Sequence, residues 1–498
     1  MTVPFQQIPS TLRIPLFFAE VDASRSNLGS GDQPSLIVGQ MTSAGTATAG
    51  VPVLVQGVTW AKAAFGPGSM LALMVAQYRA RDPFGTLYAL PLADNGSGVA
   101  AAGSVQFTHV ATATGTYSLY IGGDAVTMPV TAAQTLAQLA TALAAAINAN
   151  TDLPVTATAS TATVTITAKN AGADAGDITL VENFMAKLGP GTSEALPAGL
   201  TTTITAMTGG ATNPLVATPL ATLGDHRYDF IAWPYNDSTS LNALQASLAT
   251  AWGYLSMVYG GAFGCYRGTV GARTTFGVGR NDPGICILGQ NGAPEPTWVW
   301  AADLCAAAAE SLRADPGLPF NNAVKLNVLP PLAASRDAAV DRNTLLFDGI
   351  STFTVNKANE VFIERLVTTY QYNSQSQPDD SWLDVQRRYL TMYVLRDLRN
   401  YIETKYARFK IADDGQQIPA GASITTPKII RADLIGRYRQ LALAGYVQDV
   451  AGFKANIQVE RRQGNRNRVD VLYPVVPIDP LIQIAALAQL HNATSLGG

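Results

Sequence analysis

Chemistry in this 498-residue chain would have to come from one well-placed serine, three histidines and three cysteines. Ser69, in Gly68-Ser69-Met70, stands directly ahead of an apolar helical run, as a nucleophile would, and it would need a general base within hydrogen-bond reach. The candidates are His109 in a Thr-rich segment, His226 in Asp225-His226-Arg227, and His491 in the terminal tail. None shares a motif with Ser69, and serine is also a favoured helix N-cap, which is the reading adopted. Cys265, Cys286 and Cys305 lie far apart in apolar runs, as buried free thiols do; with isolated histidines they do not supply four convergent metal ligands. Asp379-Asp380 and Asp413-Asp414 suit caps and turns. No GxxxxGK[ST] loop occurs, and Gly277-Val278-Gly279 lacks the strand-GxGxxG-helix setting of a nucleotide site. The expectation is no enzyme, no cofactor and no metal.

Composition agrees with a folded protein of several domains: 47% of residues are hydrophobic and 14% charged. No uninterrupted apolar run reaches membrane-spanning length, and the N-terminal stretch lacks the basic and apolar regions of a signal peptide. The formal net charge of −3 is uneven: residues 1–380 carry −9 and residues 381–498 carry +6. A basic C-terminal part suits an acidic protein partner better than nucleic acid, because no nucleic-acid module accompanies it.

The elements that must position these groups alternate. Leu36-Ile37-Val38-Gly39, Thr86–Leu90, Tyr228–Trp233, Cys286–Leu288 and Val324–Val328 read as strands, with helices over Ser69–Tyr78, Ser240–Tyr259 and Trp298–Arg313. This pattern implies parallel pairing with helices on both faces. It stops at Asn95-Gly96-Ser97-Gly98 and resumes after Pro214, so the Thr-, Ala- and Gly-rich stretch between is an insertion, with strands at Tyr117–Ile121 and Val164–Thr167 around one helix over Thr135–Asn148. Farther on, Thr352–Val355 and Val361–Val367 flank a polar turn. A long helix follows, capped from Asp379-Asp380-Ser381, with Leu383, Leu390, Val394, Leu398 and Ile402 on one face.

Pro427–Ala444 predicts a second helix, and Ala455–Arg462 with Arg468–Pro474 a hairpin with one buried face. Leu481-Ile482-Gln483-Ile484 then forms an apolar strand or short helix beyond three prolines. An isolated hairpin is marginal because its edges are unpaired. This chain adds an apolar segment near each terminus, the first hinged by glycine and serine and the second set off by prolines, so strand exchange with neighbouring copies is one solution; folding back of both ends onto their own domain is the other.

The hairpin-and-helix stretch also resembles a known family. Gly349, Thr352, Phe353, Val361, Ile363, Glu364, Arg365, Val367, Thr368, Thr369 and Tyr370 are similar to a motif of the tail sheath proteins of contractile bacteriophages. Ala64–Met74, Ile8-Pro9-Ser10 and Arg13-Ile14-Pro15-Leu16 resemble the Mu-like branch. The resemblance implies an α/β core, a subtilisin-like sheath fold with no protease activity, with an inserted β-rich module and an α+β C-terminal domain. A subtilisin's HGT-type histidine motif is missing here, and Ser69 comes too early in the chain. The division expected is an N-terminal exchange arm (1–30), core (31–94 and 214–345), inserted outer module (95–213), inner domain (346–477) and C-terminal exchange arm (478–498).

On this reading the function is a structural subunit of a contractile tail sheath. Its partners are itself, in hexameric rings stacked helically, the inner tail tube protein, and baseplate and tail terminator proteins, with no direct nucleic acid and no membrane insertion. Its place is the virion tail, assembled in the host bacterial cytoplasm. The exchange strands implied are Ile14, Leu16, Phe18, Val21, Ile457, Val459, Val469, Val471, Tyr473, Ile482 and Ile484. The candidate tube-facing basic residues are Arg431, Arg437, Arg439, Arg461, Arg462, Arg466 and Arg468. The alternatives are the sheath of a phage-derived injection machine and a secreted hydrolase with a binding insert.

Overall fold

Leu36, Ile37 and Val38 are wholly buried because the strand they form, Ser35–Gln40, lies in the middle of a six-stranded sheet. Leu87–Leu92 pairs with it on one side and Phe230–Ala232 on the other, followed outward by Gly261–Arg267 and Ile285–Gln290; all five strands are parallel. The short strand Val53–Leu54 closes the far edge antiparallel. The computed structural model describes residues 33–189, 194–419 and 421–490. Helices Met70–Arg81, Ser238–Trp252 and Thr297–Ala314 cover this sheet's core, and alanines 301, 302 and 306–309 offer only methyl groups, so the last of them can pack closely.

Two expectations need correction. Lys325–Leu326 does not extend the parallel sheet: it pairs antiparallel with Val361–Phe362 and makes the Thr352–Val355/Val361–Arg365 hairpin three-stranded. The helix expected to reach Tyr259 ends at Trp252, where Gly253 leaves the helical conformation and Met257 takes a positive φ.

Between Leu92 and Phe230 the chain builds a second body with its own apolar core. A four-stranded sheet runs in the order Thr201–Thr208, Ala102–His109, Thr163–Ala168, Val155–Ser160, and a three-stranded one in the order Asp124–Val130, Gly115–Ile121, Leu180–Glu182. Helix Leu136–Ala149 carries Leu139, Leu143 and Ile147 into this core against Val105, Tyr117 and Ile166. A Thr135–Gln138 capping box starts the helix, satisfying two backbone donors reciprocally. Near its end Asn148 faces the outer strand: its Nδ2 donates to the Ala157 carbonyl (2.7 Å) and its Oδ1 accepts from the Ala157 N–H (2.9 Å). One amide thereby occupies a stretch of edge that could otherwise pair with another chain.

The long helix is Val385–Tyr406, and its start corrects the expected cap. Asp379 instead accepts from Ser381 and the Tyr370 hydroxyl in the preceding turn, while the N-cap residue Asp384 forks to Arg365 (2.9 and 3.0 Å). Val385, Tyr389 and Met392 join the main core; Val394, Leu398 and Ile402 join a separate cluster with helix Pro427–Leu443 and the short helix Val450–Asn456. Gln458–Arg461 and Val469–Leu472 then pair antiparallel as a two-stranded sheet. Its expected buried face is only half present, since no residue of either strand is buried. Residues 478–490 form neither the strand nor the helix expected.

Candidate subunit-contact surfaces

Catalysis was the first possibility the sequence raised, and the geometry gives Ser69 another task. It is completely buried and its Oγ accepts from the Ala72 N–H at the start of helix Met70–Arg81. His109 Nδ1 meets the Thr201 hydroxyl at 2.7 Å in the inserted body, and His226 lines a 540 Å³ cleft beside helix Ser238–Trp252. His491 lies outside the described residues. All three cysteines are buried free thiols; burial pushes Cys286 up to about 12 and the other two higher, so none is a ready nucleophile. Among the described residues no three His, Cys, Asp or Glu side chains cluster for a metal, and no helix is long and apolar enough to cross a membrane.

The candidate exchange residues divide. Ile14, Leu16, Phe18 and Val21 lie outside the described residues. Ile457 is not a strand residue: it follows helix Val450–Asn456 and is buried in the inner-domain cluster, which corrects the expectation. Tyr473 is likewise committed within the domain, its ring edge-on to Phe453 (4.8 Å) and Tyr438 (6.0 Å). Val459 and Val469 lean on the same cluster, and Val471 turns outward at 37% exposure. Beyond them Leu481, Ile484, Leu487 and Leu490 are 64, 82, 87 and 100% exposed, with Ile482 half-buried. So long an uncovered apolar series is unusual on a single subunit. The tail touches the rest of the chain lightly: Asn321 Nδ2 donates to the Leu481 carbonyl (2.8 Å), and Asp479 pairs loosely with Arg387 (3.4 Å).

The basic candidates divide as sharply. Arg431 donates to the carbonyls of Ile457 and Lys454, holding the short helix to the second one. Arg437 forks to Asp397 with both side chains about nine-tenths enclosed, and lies over the Tyr401 ring. Arg461 meets Asp413 at 2.6 Å, and Arg462 (2.9 Å) and Arg468 (2.5 Å) share Asp470, holding its carboxyl below the usual range. Only Arg439 and Arg466, of the seven, are exposed without an ion pair among the described residues. Arg431 and Arg437 thus both hold partners within the subunit.

Two arginines of the long helix also point inward. Arg396 forks to the fully buried Asp229 (2.6 and 2.9 Å), which Arg227 also meets at 2.8 Å. Arg388 sits 3.9 Å from the Trp252 ring centroid and donates to the Gly260 carbonyl, burial pushing it down to about 10. Tyr389 between them stacks on Phe230 at 5.0 Å and donates to the Asp229 carbonyl. No local signal betrays these partners, which lie between 128 and 167 residues away.

Comparison with known proteins decides what this arrangement is. Residues 209–369 match the phage tail sheath protein central domain, and residues 377–491 match the phage tail sheath C-terminal domain. Over 474 residues, 95% of this chain and 96% of the relative, it is 38% identical to the Mu-like prophage FluMu tail sheath protein of Haemophilus influenzae. The chain belongs to the phage tail sheath family. Solved structures similar to this sheath protein include the sheath tail proteins of Desulfitobacterium hafniense (TM-score 0.47, 12% identity, 94% of this chain and 97% of that one) and Listeria innocua (0.48, 14%, 92% and 95%). A chain of the anti-feeding prophage baseplate gives a TM-score of 0.44 at 12% identity, covering 97% of this chain and all of that one. The sheath protein is thus a tail component of mixed α/β structure with several sheets. Residues 95–208 of its inserted body lie outside both family matches.

Proposed function

We propose that this chain is a non-catalytic subunit of a contractile tail sheath that polymerises around an inner tail tube and drives it through the host envelope on contraction. Hexameric rings stack helically, joined by exchanged segments: an N-terminal arm (1–30) and a C-terminal arm (478–498) that complete a neighbour's inner domain (346–477). The core (31–94 and 214–345), similar in fold to subtilisin without its chemistry, supplies ring contacts, and the inserted module (95–213) faces outward. Assembly takes place in the host cytoplasm, with the tube, baseplate and terminator proteins as further partners.

The observation that carries this reading is the meeting of two unfinished parts in one chain. Among the described residues a two-stranded sheet has both edges unpaired, and the segment after Pro477 leaves Leu481, Ile484, Leu487 and Leu490 exposed. Main-chain pairing of that segment with another copy's sheet edge would cover both. Because the donor and acceptor surfaces differ, the contact is head-to-tail and extends into rings or helices. Of the seven basic candidates, Arg439 and Arg466 have no ion pair among the described residues and are the readiest to meet the tube; exposed pairs contribute roughly 0–1 kcal/mol each, so the grip on the tube is releasable.

A chain ending at Pro477 tests this. Sedimentation and negative-stain imaging should show folded monomers where the full chain gives striated tubes or short cylinders. Tubes of ordinary length from the shortened chain would refute the exchange.

A further inference from the structure

We propose that the inserted module serves the core as a built-in ligand: residues 169–177, with Asn213, occupy the place outside the parallel sheet where an α/β fold ordinarily holds a small molecule. In open α/β sheets that place is the crevice beyond the carboxyl ends of the strands, at the point where strand order reverses. It favours acceptors and anions because helix N-termini point into it. Here Ser35–Gln40 is the reversal point, and the strand that follows it in the chain lies on one side while the later ones lie on the other.

Each of three core helices that start at this edge is tied to the module. Asn170 Oδ1 accepts from the Met70 N–H of helix Met70–Arg81 (3.0 Å), beside the cap from Ser69. Asp237 caps helix Ser238–Trp252, and Asn213 Nδ2 donates both to Asp237 (2.8 Å) and to Asp174 (2.5 Å). Helix Thr297–Ala314 begins behind Pro296 with no cap or first-turn acid of its own; Asp177 Oδ2 accepts from the Thr297 N–H (2.8 Å). The other oxygen of Asp177 meets Arg267 Nε (2.7 Å), at the end of a core strand, whose remaining nitrogens donate to the Ala293 and Glu295 carbonyls. A carboxylate on a helix N-terminus beside an arginine is how such a fold binds an acidic ligand, and this chain supplies the carboxylate itself. Asp94 fills the middle of the crevice, accepting from Gln40, Asn170 and the Ala171 N–H. Gly68, at φ +70°, lets the module come this close: a Cβ there would overlap the Leu153 carbonyl.

The test uses the full chain with Asp177→Ala, and Asp152→Ala as control, because Asp152 makes only the exposed pair with Lys62 across the same joint. Asp177→Ala should lower the unfolding temperature by several degrees and open the linkers near residues 95–98 and 209–213 to protease. Added acetate, against chloride at equal ionic strength, should restore part of the loss in Asp177→Ala and do nothing for the wild type or Asp152→Ala. Should Asp177→Ala not fold, Asp177→Asn, which keeps one acceptor oxygen, carries the same comparison with a smaller loss. Equal behaviour of the two sites, or no acetate-specific recovery, would overturn the proposal.

Discussion

The joint between core and inserted module and the rim of the inner domain both lie where separately folded parts of a sheath must meet, and they are built in opposite ways. At the joint, carboxylates, amides and helix ends are matched within one chain, down to Asn213 shared between two aspartates. At the rim, a sheet stops at two strands and a tail stays in water. The first surface is finished and the second unfinished. Unfinished surfaces store association energy for another copy, whereas finished ones fix a part in place.

The sharpest way to break that contrast is at the tail. Ile484→Asp with Leu487→Asp should abolish polymerisation, seen as loss of the fast-sedimenting species, and leave the unfolding temperature unchanged. A fall in monomer stability instead would mean the tail already belongs to its own domain.

Next in size is Asp229, on the finished side. Asp229→Ala strands Arg396 and Arg227 at a buried position and should cost about 3–5 kcal/mol in denaturant unfolding, the scale of a broken buried ion pair. An exposed pair such as Arg399–Glu403 should lose no more than about 0.5 kcal/mol.

Asp174 gives a smaller, pH-dependent effect. Burial at the joint, with Asp237 nearby, lifts its carboxyl to about 6, above the unfolded value, against the hydrogen bonds from Asn213 and Asn236. The folded state therefore holds this proton more tightly, and the stability it contributes is complete below about pH 4 and lost as pH rises through about 6. The difference between wild type and Asp174→Asn should change by roughly 2–3 kcal/mol across that window and flatten above it.

Smallest of all should be Arg439→Ala with Arg466→Ala. Monomer stability stays put, while co-sedimentation with tube weakens and becomes less sensitive to salt. Arg437→Met, which breaks an enclosed pair, should do the reverse.

Local chemistry was the most legible part of the sequence. Ser69 as an N-cap, the helix over Thr135–Asn148 and the second helix over Pro427–Ala444 all depend on residues within a few positions of one another, and the fold keeps them to within a residue at each end. What failed depended on distant partners. Lys325–Leu326 has the composition of a parallel core strand, but its pairing is decided by a hairpin more than thirty residues on. Arg388 and Arg396 look solvated on a helical wheel because Trp252 and Asp229 are invisible to it. The partner of Arg437 was hidden for the same reason: Asp397 pairs with it from another helix. The exposed tail was legible as apolar and detached, but not in conformation, since among the described residues only a few contacts of its own chain hold it.

One further consequence follows from the helix Val385–Tyr406, whose first turns are embedded in the main core and whose later turns are embedded in the inner-domain cluster, with no break between them. It works as a spindle. In the proposed ring arrangement, torque applied to the main core would reach the second cluster without a pivot at which it could be lost, and the compliance that contraction demands would fall to the segments joining one copy to the next.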